Sequence, residues 1–141
     1  MSAAETGEAL AGRLRAEHRK LDALFGGFLA AAAQGDAEAA EAAIAAFDDM
    51  LRRHTALEEE RLFPPAAGKL VARPDEDAVA ALARALRLEH VQIRELSGMM
   101  RRLLGESKDL EGVRRLAGSL ARRWDAHTAR EETELLGSAA Q

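Results

Sequence analysis

Apolar residues recur three and four positions apart along almost the whole chain, and each of the four runs that they form contains a single histidine. This spacing is typical of an α-helix with one buried face. Each histidine therefore takes a position that a core side chain would otherwise fill. The four stripes are Leu14, His18, Leu21, Phe25 and Phe28; Phe47, Leu51, His54 and Glu58; Leu82, Leu86, His90, Ile93 and Met100; and Val113, Leu116, Leu120, His127, Glu131 and Leu135.

The composition favours helix throughout, because alanine, leucine, arginine and glutamate dominate and tyrosine is absent. Residues that stop or cap helices interrupt the stripes at three places. Short connections between four helices are typical of an up-down topology. We therefore predict an all-α, antiparallel up-down-up-down four-helix bundle, formed by residues 1–141 as one domain. The breaks are residues 34–36, 64–74 and 105–107, with Asp36, Asp75 and Ser107 as the predicted N-caps of the helices that follow.

Charge and composition narrow the classes of function. The net charge of -4 argues against a general grip on nucleic acid. Cysteine is absent, so any metal must be held by nitrogen and oxygen atoms. The N-terminal residues do not resemble a signal peptide, and no apolar stretch is long enough to span a bilayer, so we expect a cytoplasmic protein that does not bind membranes. No nucleotide-binding glycine loop or nucleophile elbow occurs.

The second and fourth stripes contain the same short phrase. A histidine and a glutamate four positions apart lie on one helical face, so both side chains can reach a common point. Counted from the turns at ~1.5 Å per residue, all four histidines lie ~21 to 28 Å deep, which allows a single layer. The two phrases are His54-Thr55-Ala56-Leu57-Glu58-Glu59 and His127-Thr128-Ala129-Arg130-Glu131-Glu132.

Any one of these histidines, taken alone, is more simply a packed core residue that has found a hydrogen bond. The set is different, because four imidazoles and two carboxylates buried together without a cation would be costly. We therefore predict a metal site. Its candidate ligands are His18, His54, Glu58, His90, His127 and Glu131.

Residues around these positions resemble the haemerythrin-like domains, also called HHE cation-binding domains, over almost the whole chain. The resemblance implies a four-helix bundle that holds two iron ions with an oxide or hydroxide bridge. It implies that the four histidines are terminal ligands and that Glu58 and Glu131 bridge the metals. The residues that match are His18 within residues 18–22, His54 and Glu58 running into Leu62-Phe63-Pro64, Glu89-His90 with Ile93-Arg94, and His127 and Glu131 followed by Leu135-Leu136.

One position departs from the oxygen-carrying members of that family. Their third helix has a second histidine one turn after the first, whereas this chain has Arg94. Fewer protein ligands leave an exchangeable position on both metals. We therefore expect O2, peroxide or nitric oxide to be bound and converted rather than reversibly carried, although the sequence does not decide whether the protein is an enzyme.

Two further interpretations stay open. The first is a module that senses or binds iron or a small ligand without turnover, and the second is a structural bundle with zinc or no metal. Manganese at one position also stays open, as does the oligomeric state.

Several neighbours have weaker expectations. Asp22 is expected either to accept the ring proton of His18 or to pair with an arginine on the surface, and Trp124 is expected in the core. Glu59, Glu89 and Glu132 are reserve ligands, exposed by default because each is rotated ~100° from an adjacent ligand. Replacing Glu59 should accordingly do little. Metal removal should lower the melting temperature, and stability should fall as the histidines become protonated near pKa ~6.5.

Overall fold

The computed structural model describes residues 6–63 and 78–136. Four α-helices account for most of them: α1 (Gly7–Ala33), α2 (Ala37–Leu57), α3 (Ala78–Ser107) and α4 (Leu110–Arg130). Two of these helices continue into π-helical segments, which we call π1 (Glu58–Leu62, after α2) and π2 (Glu131–Leu136, after α4). Within the described ranges there is no β-strand, and the predicted all-α fold is confirmed. None of the described helices has the length and apolar character needed to cross a bilayer.

Neighbouring helices run antiparallel. Across each interface, residue numbers rise along one helix as they fall along its partner. Between α2 with π1 and α3, the pairs are Asp48–Ser97, Thr55–Arg94 and Glu59–His90; between α3 and α4 they are Glu89–His127 and Gln92–Arg123. Between α1 and α2 they are Glu17–His54 and Phe25–Phe47, and between α1 and α4 with π2 they are His18–Glu132 and Ala32–Arg114. The helices therefore close into the up-down-up-down ring that the sequence predicts.

The buried apolar residues form one large cluster and two smaller ones. The large cluster extends from the α1–α2 turn to Leu21, Leu51 and Trp124, whereas Phe63 and Leu14 mark the smaller clusters towards the other end. In each helix the histidine lies three residues beyond the cluster residue that is nearest to the other end of the bundle. The four pairs are Leu21 and His18, Leu51 and His54, Ile93 and His90, and Trp124 and His127. A polar layer thus separates two apolar parts of the bundle, and it consists of His18, His54, Glu58, His90, His127 and Glu131.

Of the three predicted N-caps, the structure confirms one. Asp36 accepts a hydrogen bond from the Ala39 amide at 3.0 Å and caps α2 as predicted. Asp75 lies outside the described residues. The prediction for Ser107 is wrong, because α3 runs on through that residue and its hydroxyl donates to the Leu103 carbonyl at 2.8 Å. Asp109 caps α4 instead, accepting from the Gly112 amide at 2.9 Å.

The position of the third break has a simple physical cause. Gly105 stays helical, because a glycine within a helix costs only about 1 kcal/mol relative to alanine. Lys108 has a φ of 56°, in the left-handed region, and this reverses the chain after α3. The break therefore falls at residues 108–109 rather than at 105–107.

Replacing Asp109 with alanine should lower the free energy of unfolding by about 1 kcal/mol, because the Gly112 amide loses its acceptor. Ser107→Ala is the matched control, since it removes only a hydroxyl bonded within its own helix. Urea denaturation of both variants measures the difference. An equal loss from both would contradict the assignment of the cap.

Candidate metal centre

All six predicted ligand residues lie together in the polar layer. None has more than 2% of its surface exposed. Their ligand atoms form two overlapping groups of four, and within each group all atoms lie within 4.8 Å of one another. Both groups contain Glu58 and Glu131. The first group adds His18 and His54, and the second adds His90 and His127.

The backbone changes its helical form at both shared carboxylates. Glu58 is the first residue of π1 and Glu131 is the first residue of π2. At π1, the Phe63 amide donates to the Glu58 carbonyl at 2.9 Å, five residues back. Such segments are rare and occur often at functional sites. The apolar stripes do not predict these segments, although the repeated phrase marks both places.

The polar atoms of these residues that face the centre have no hydrogen-bond partner. Among the described residues, the buried side-chain atoms in this condition are the four histidine Nε2 atoms and both carboxylate oxygens of Glu58 and Glu131. Some lie close together: His18 Nε2 is 2.9 Å from Glu131 Oε1, and His90 Nε2 is 3.0 Å from Glu58 Oε1. Their directions do not suit hydrogen bonds. Eight converging lone-pair atoms fit a cation, which would relieve the cost of burying them.

The other ring nitrogen of each histidine meets a carboxylate from a neighbouring helix or π segment. A carboxylate can only accept, so Nδ1 carries the proton of each neutral ring, and in that form Nε2 keeps a lone pair facing the centre. We call these four carboxylates, Glu17, Glu59, Glu89 and Glu132, the outer carboxylates. The Nδ1 to carboxylate distances are 2.8 Å for His54–Glu17, 2.8 Å for His127–Glu89, 3.0 Å for His90–Glu59 and 3.2 Å for His18–Glu132.

The expectation that Glu59, Glu89 and Glu132 face solvent is wrong. Each is partly buried, and each holds a histidine of another helix rather than taking a place among the candidate ligand atoms. Replacing Glu59 is therefore not expected to be neutral. Sequence reasoning missed Glu17 altogether. A signal was present, because all four outer carboxylates directly precede or follow a candidate ligand in sequence.

The expectation that Asp22 accepts the ring proton of His18 is wrong. Asp22 accepts a hydrogen bond from the Trp124 indole nitrogen at 2.7 Å, and Glu132 takes the place at His18. Trp124 is 2% exposed and lies in the core, as predicted. Its ring centroid is 5.7 Å from that of His18 and 6.2 Å from that of His127. This core residue therefore borders the candidate site.

Arg94 turns away from the centre. Its Nη1 donates to Glu59 Oε2 at 2.8 Å and to Thr55 Oγ1 at 2.9 Å. It belongs to neither group of candidate ligand atoms. At the position where oxygen carriers are expected to have a further histidine, this chain thus has a side chain that supports an outer carboxylate.

The carboxylates of the layer raise the pKa values of His18 and His90. Burial opposes protonation of His18, but the carboxylates of Glu131 and Glu58 outweigh it and raise its pKa to about 10. The same balance, with Glu59 added, raises the pKa of His90 to about 10. Burial acts to raise the pKa of Glu131, yet its contacts with Glu58 and the histidines hold it well below its usual range. The expected titration of these two histidines near 6.5 is therefore wrong.

In metal-free protein, protonated His18 and His90 should supply the positive charge between the carboxylates. Because both pKa values are raised in the folded state, this stabilisation is complete below about pH 6.5 and is lost as pH rises towards 10. The free energy of unfolding of chelator-treated protein, measured by urea denaturation at several pH values, should therefore fall across that window. His18→Gln should flatten the dependence, and a rise in stability with pH would contradict it.

The geometry agrees with a comparison of the whole sequence against known families. Residues 9–139 match the family described as Hemerythrin HHE cation binding domain. Searches among curated proteins and among solved structures gave no significant match. The match covers nearly the whole chain and includes every residue of the layer. The chain therefore belongs to the haemerythrin HHE cation-binding domain family.

Proposed function

We propose that the polar layer holds two iron ions and that this centre binds and converts O2, peroxide or nitric oxide. In this proposal the four histidines are terminal ligands through Nε2, and Glu58 and Glu131 bridge the metals. The observation that carries it is the set of eight buried, unpartnered donor atoms that converge in one layer. We also propose that the chain forms one such domain.

The donor set favours two metals over one. Structural zinc sites normally use four ligands, whereas here two groups of four share both carboxylates. The set is also richer in imidazole than the carboxylate sites of ferritin-like bundles. Neutral nitrogen donors stabilise ferrous iron relative to such sites, which supports reaction with small ligands rather than iron storage.

The chain's own residues would orient the centre and limit the access of water. When bound, iron would supply electrons and an open position for a small ligand. The outer carboxylates fix the tautomer and the direction of each histidine ring. Phe63 stacks on His90 with ring centroids 5.4 Å apart, and Trp124 covers the side towards the large apolar cluster. These rings make the surroundings of the centre apolar.

Two surface grooves reach the edge of the layer. One, of about 570 Å³, lies between α1 and α2 and is lined in part by Glu17 and His54. The other, of about 280 Å³, lies between α3 and α4 and is lined in part by Glu89 and His127. Each groove is lined by an outer carboxylate and by the histidine that this carboxylate contacts. We propose them as the approaches for a small ligand.

Metal content and the visible spectrum of the purified protein, before and after peroxide, test the proposal. We expect about two irons per chain and a ferric near-ultraviolet absorption that changes with peroxide. Repeated additions would separate binding from turnover, because only turnover consumes more than one equivalent. Metal-free protein that takes up no ferrous iron under anaerobic conditions would contradict the proposal.

Glu58→Ala and Glu131→Ala should each lose most of the bound iron, because each carboxylate belongs to both groups of candidate ligands. The matched control is Glu60→Ala, since this exposed residue lies only two positions from Glu58. Iron per chain, measured by elemental analysis, gives the result. Equal losses from all three variants would refute the assignment of the bridging residues.

Trp124 is the only tryptophan of the chain, and it contacts three site histidines. Its fluorescence should therefore fall as ferrous iron is added anaerobically to metal-free protein, with an end point near two equivalents. Zinc, which is not redox-active and has a filled d shell, should change it much less. Fluorescence unaffected by iron, despite iron binding shown by elemental analysis, would place the metal away from this layer.

A further inference from the structure

The outer carboxylates are themselves contacted by arginines, and these contacts differ between the two groups of candidate ligands. We call His18 and His54, with Glu132 and Glu17, the α1–α2 half of the centre. We call His90 and His127, with Glu59 and Glu89, the α3–α4 half. Glu58 and Glu131 are common to both halves.

Arginines hold the outer carboxylates tightly in the α3–α4 half. Arg94 Nη1 lies 2.8 Å from Glu59 Oε2, and the same nitrogen donates to the buried Thr55 hydroxyl at 2.9 Å. Arg130 Nη1 lies 2.9 Å from Glu89 Oε2. These are short, charge-assisted hydrogen bonds. Both histidines of this half are therefore fixed by a two-step chain from arginine to carboxylate to ring.

The corresponding contacts are longer in the α1–α2 half. Arg13 Nε is 3.5 Å from Glu17 Oε2, and Arg15 Nε is 3.9 Å from Glu132 Oε1. These distances exceed those of ordinary hydrogen bonds. Glu132 also makes the longest of the four contacts to a histidine, at 3.2 Å, and its side chain is 37% exposed, compared with 15% for Glu59. The ring of His18 is thus the least constrained of the four.

A difference in net charge between the halves would not make metal binding tighter in the α3–α4 half. Each half has two imidazoles, two outer carboxylates and an arginine against each carboxylate. The α3–α4 half has one more cation near Glu59, because Arg87 Nε lies 3.4 Å from Glu59 Oε1. An extra positive charge disfavours a cation nearby, so it would act against metal binding in the α3–α4 half. The halves differ mainly in how firmly their rings are positioned.

We propose that the two cation positions fill in order, with the α3–α4 half binding the first metal more tightly. This inference rests on the proposed two-metal centre. Arg94 and Arg130 are positioning residues, because they act on the metal only through Glu59 and Glu89. A ligand ring that is already held in place loses less freedom when a metal binds, and losing the carboxylate that holds such a ring typically changes metal affinity by about 10- to 100-fold.

Titration of the metal-free full chain with Co2+ tests the order. Calorimetry should show two steps whose dissociation constants differ by at least about 10-fold. Crystals grown with one equivalent of Co2+ should show its anomalous signal in the α3–α4 half. Cobalt binds nitrogen and oxygen donors, and its signal locates the ion independently of any activity.

The variants separate positioning from a structural role. Arg94→Met should weaken the first step by about 10-fold or more, and Arg94→Lys should restore part of that affinity because it keeps a donor near Glu59. Arg130→Met is a second, independent variant with the same expected direction. Arg15→Met, at the loosest of the four contacts, is the matched control and should leave the first step unchanged. The melting temperature of each metal-free variant is measured alongside.

The outcomes distinguish this inference from the proposed function. Wild-type protein that binds no Co2+ would overturn the two-metal centre itself. Two equal steps, or a first cation in the α1–α2 half, would overturn the order of filling and leave the centre intact. A lower melting temperature for Arg94→Met with an unchanged ratio of the two constants would show a structural role, and would overturn the positioning role of Arg94.

Discussion

Burial of eight polar atoms in one layer of an apolar bundle is the constraint on which the rest of this structure depends. In the described residues, four imidazole nitrogens and four carboxylate oxygens meet there without hydrogen bonds. Such a layer stays folded only if positive charge lies between the carboxylates, supplied either by protons on the histidines or by metal ions. The same requirement links the stability of the fold with the chemistry of the site.

The outer carboxylates connect this layer to the packing of the helices. Each histidine lies on one helix and is held by a carboxylate from a neighbouring helix or π segment, so the direction of every ring depends on a helix–helix interface. A change in the spacing or rotation of any helix would therefore move two rings together. Function and tertiary packing cannot be altered independently in this bundle.

Much of this architecture follows from spacing along the chain. A histidine in an apolar stripe must face the core, and that reasoning placed all six candidate ligands in one layer. The outer carboxylates could not be placed in this way, because a residue ~100° from the buried stripe can face either solvent or the next helix. Glu17 and Glu59 face the next helix, where each contacts a histidine. The raised pKa of His18 likewise comes from Glu131 on another segment, and Lys108 moves the third break through its own backbone conformation.

The polar layer also divides the bundle into two apolar parts of unequal size. The smaller part, around Leu14, Phe63 and Leu135, has few residues with which to stay folded alone. Its connection to the larger part passes through the six residues of the layer. A metal bound there joins both parts into one cooperative unit, whereas its loss would allow the smaller part to open while the larger part stays closed. Metal occupancy would thus determine the size of the segment that unfolds, and with it the protein's exposure to proteases.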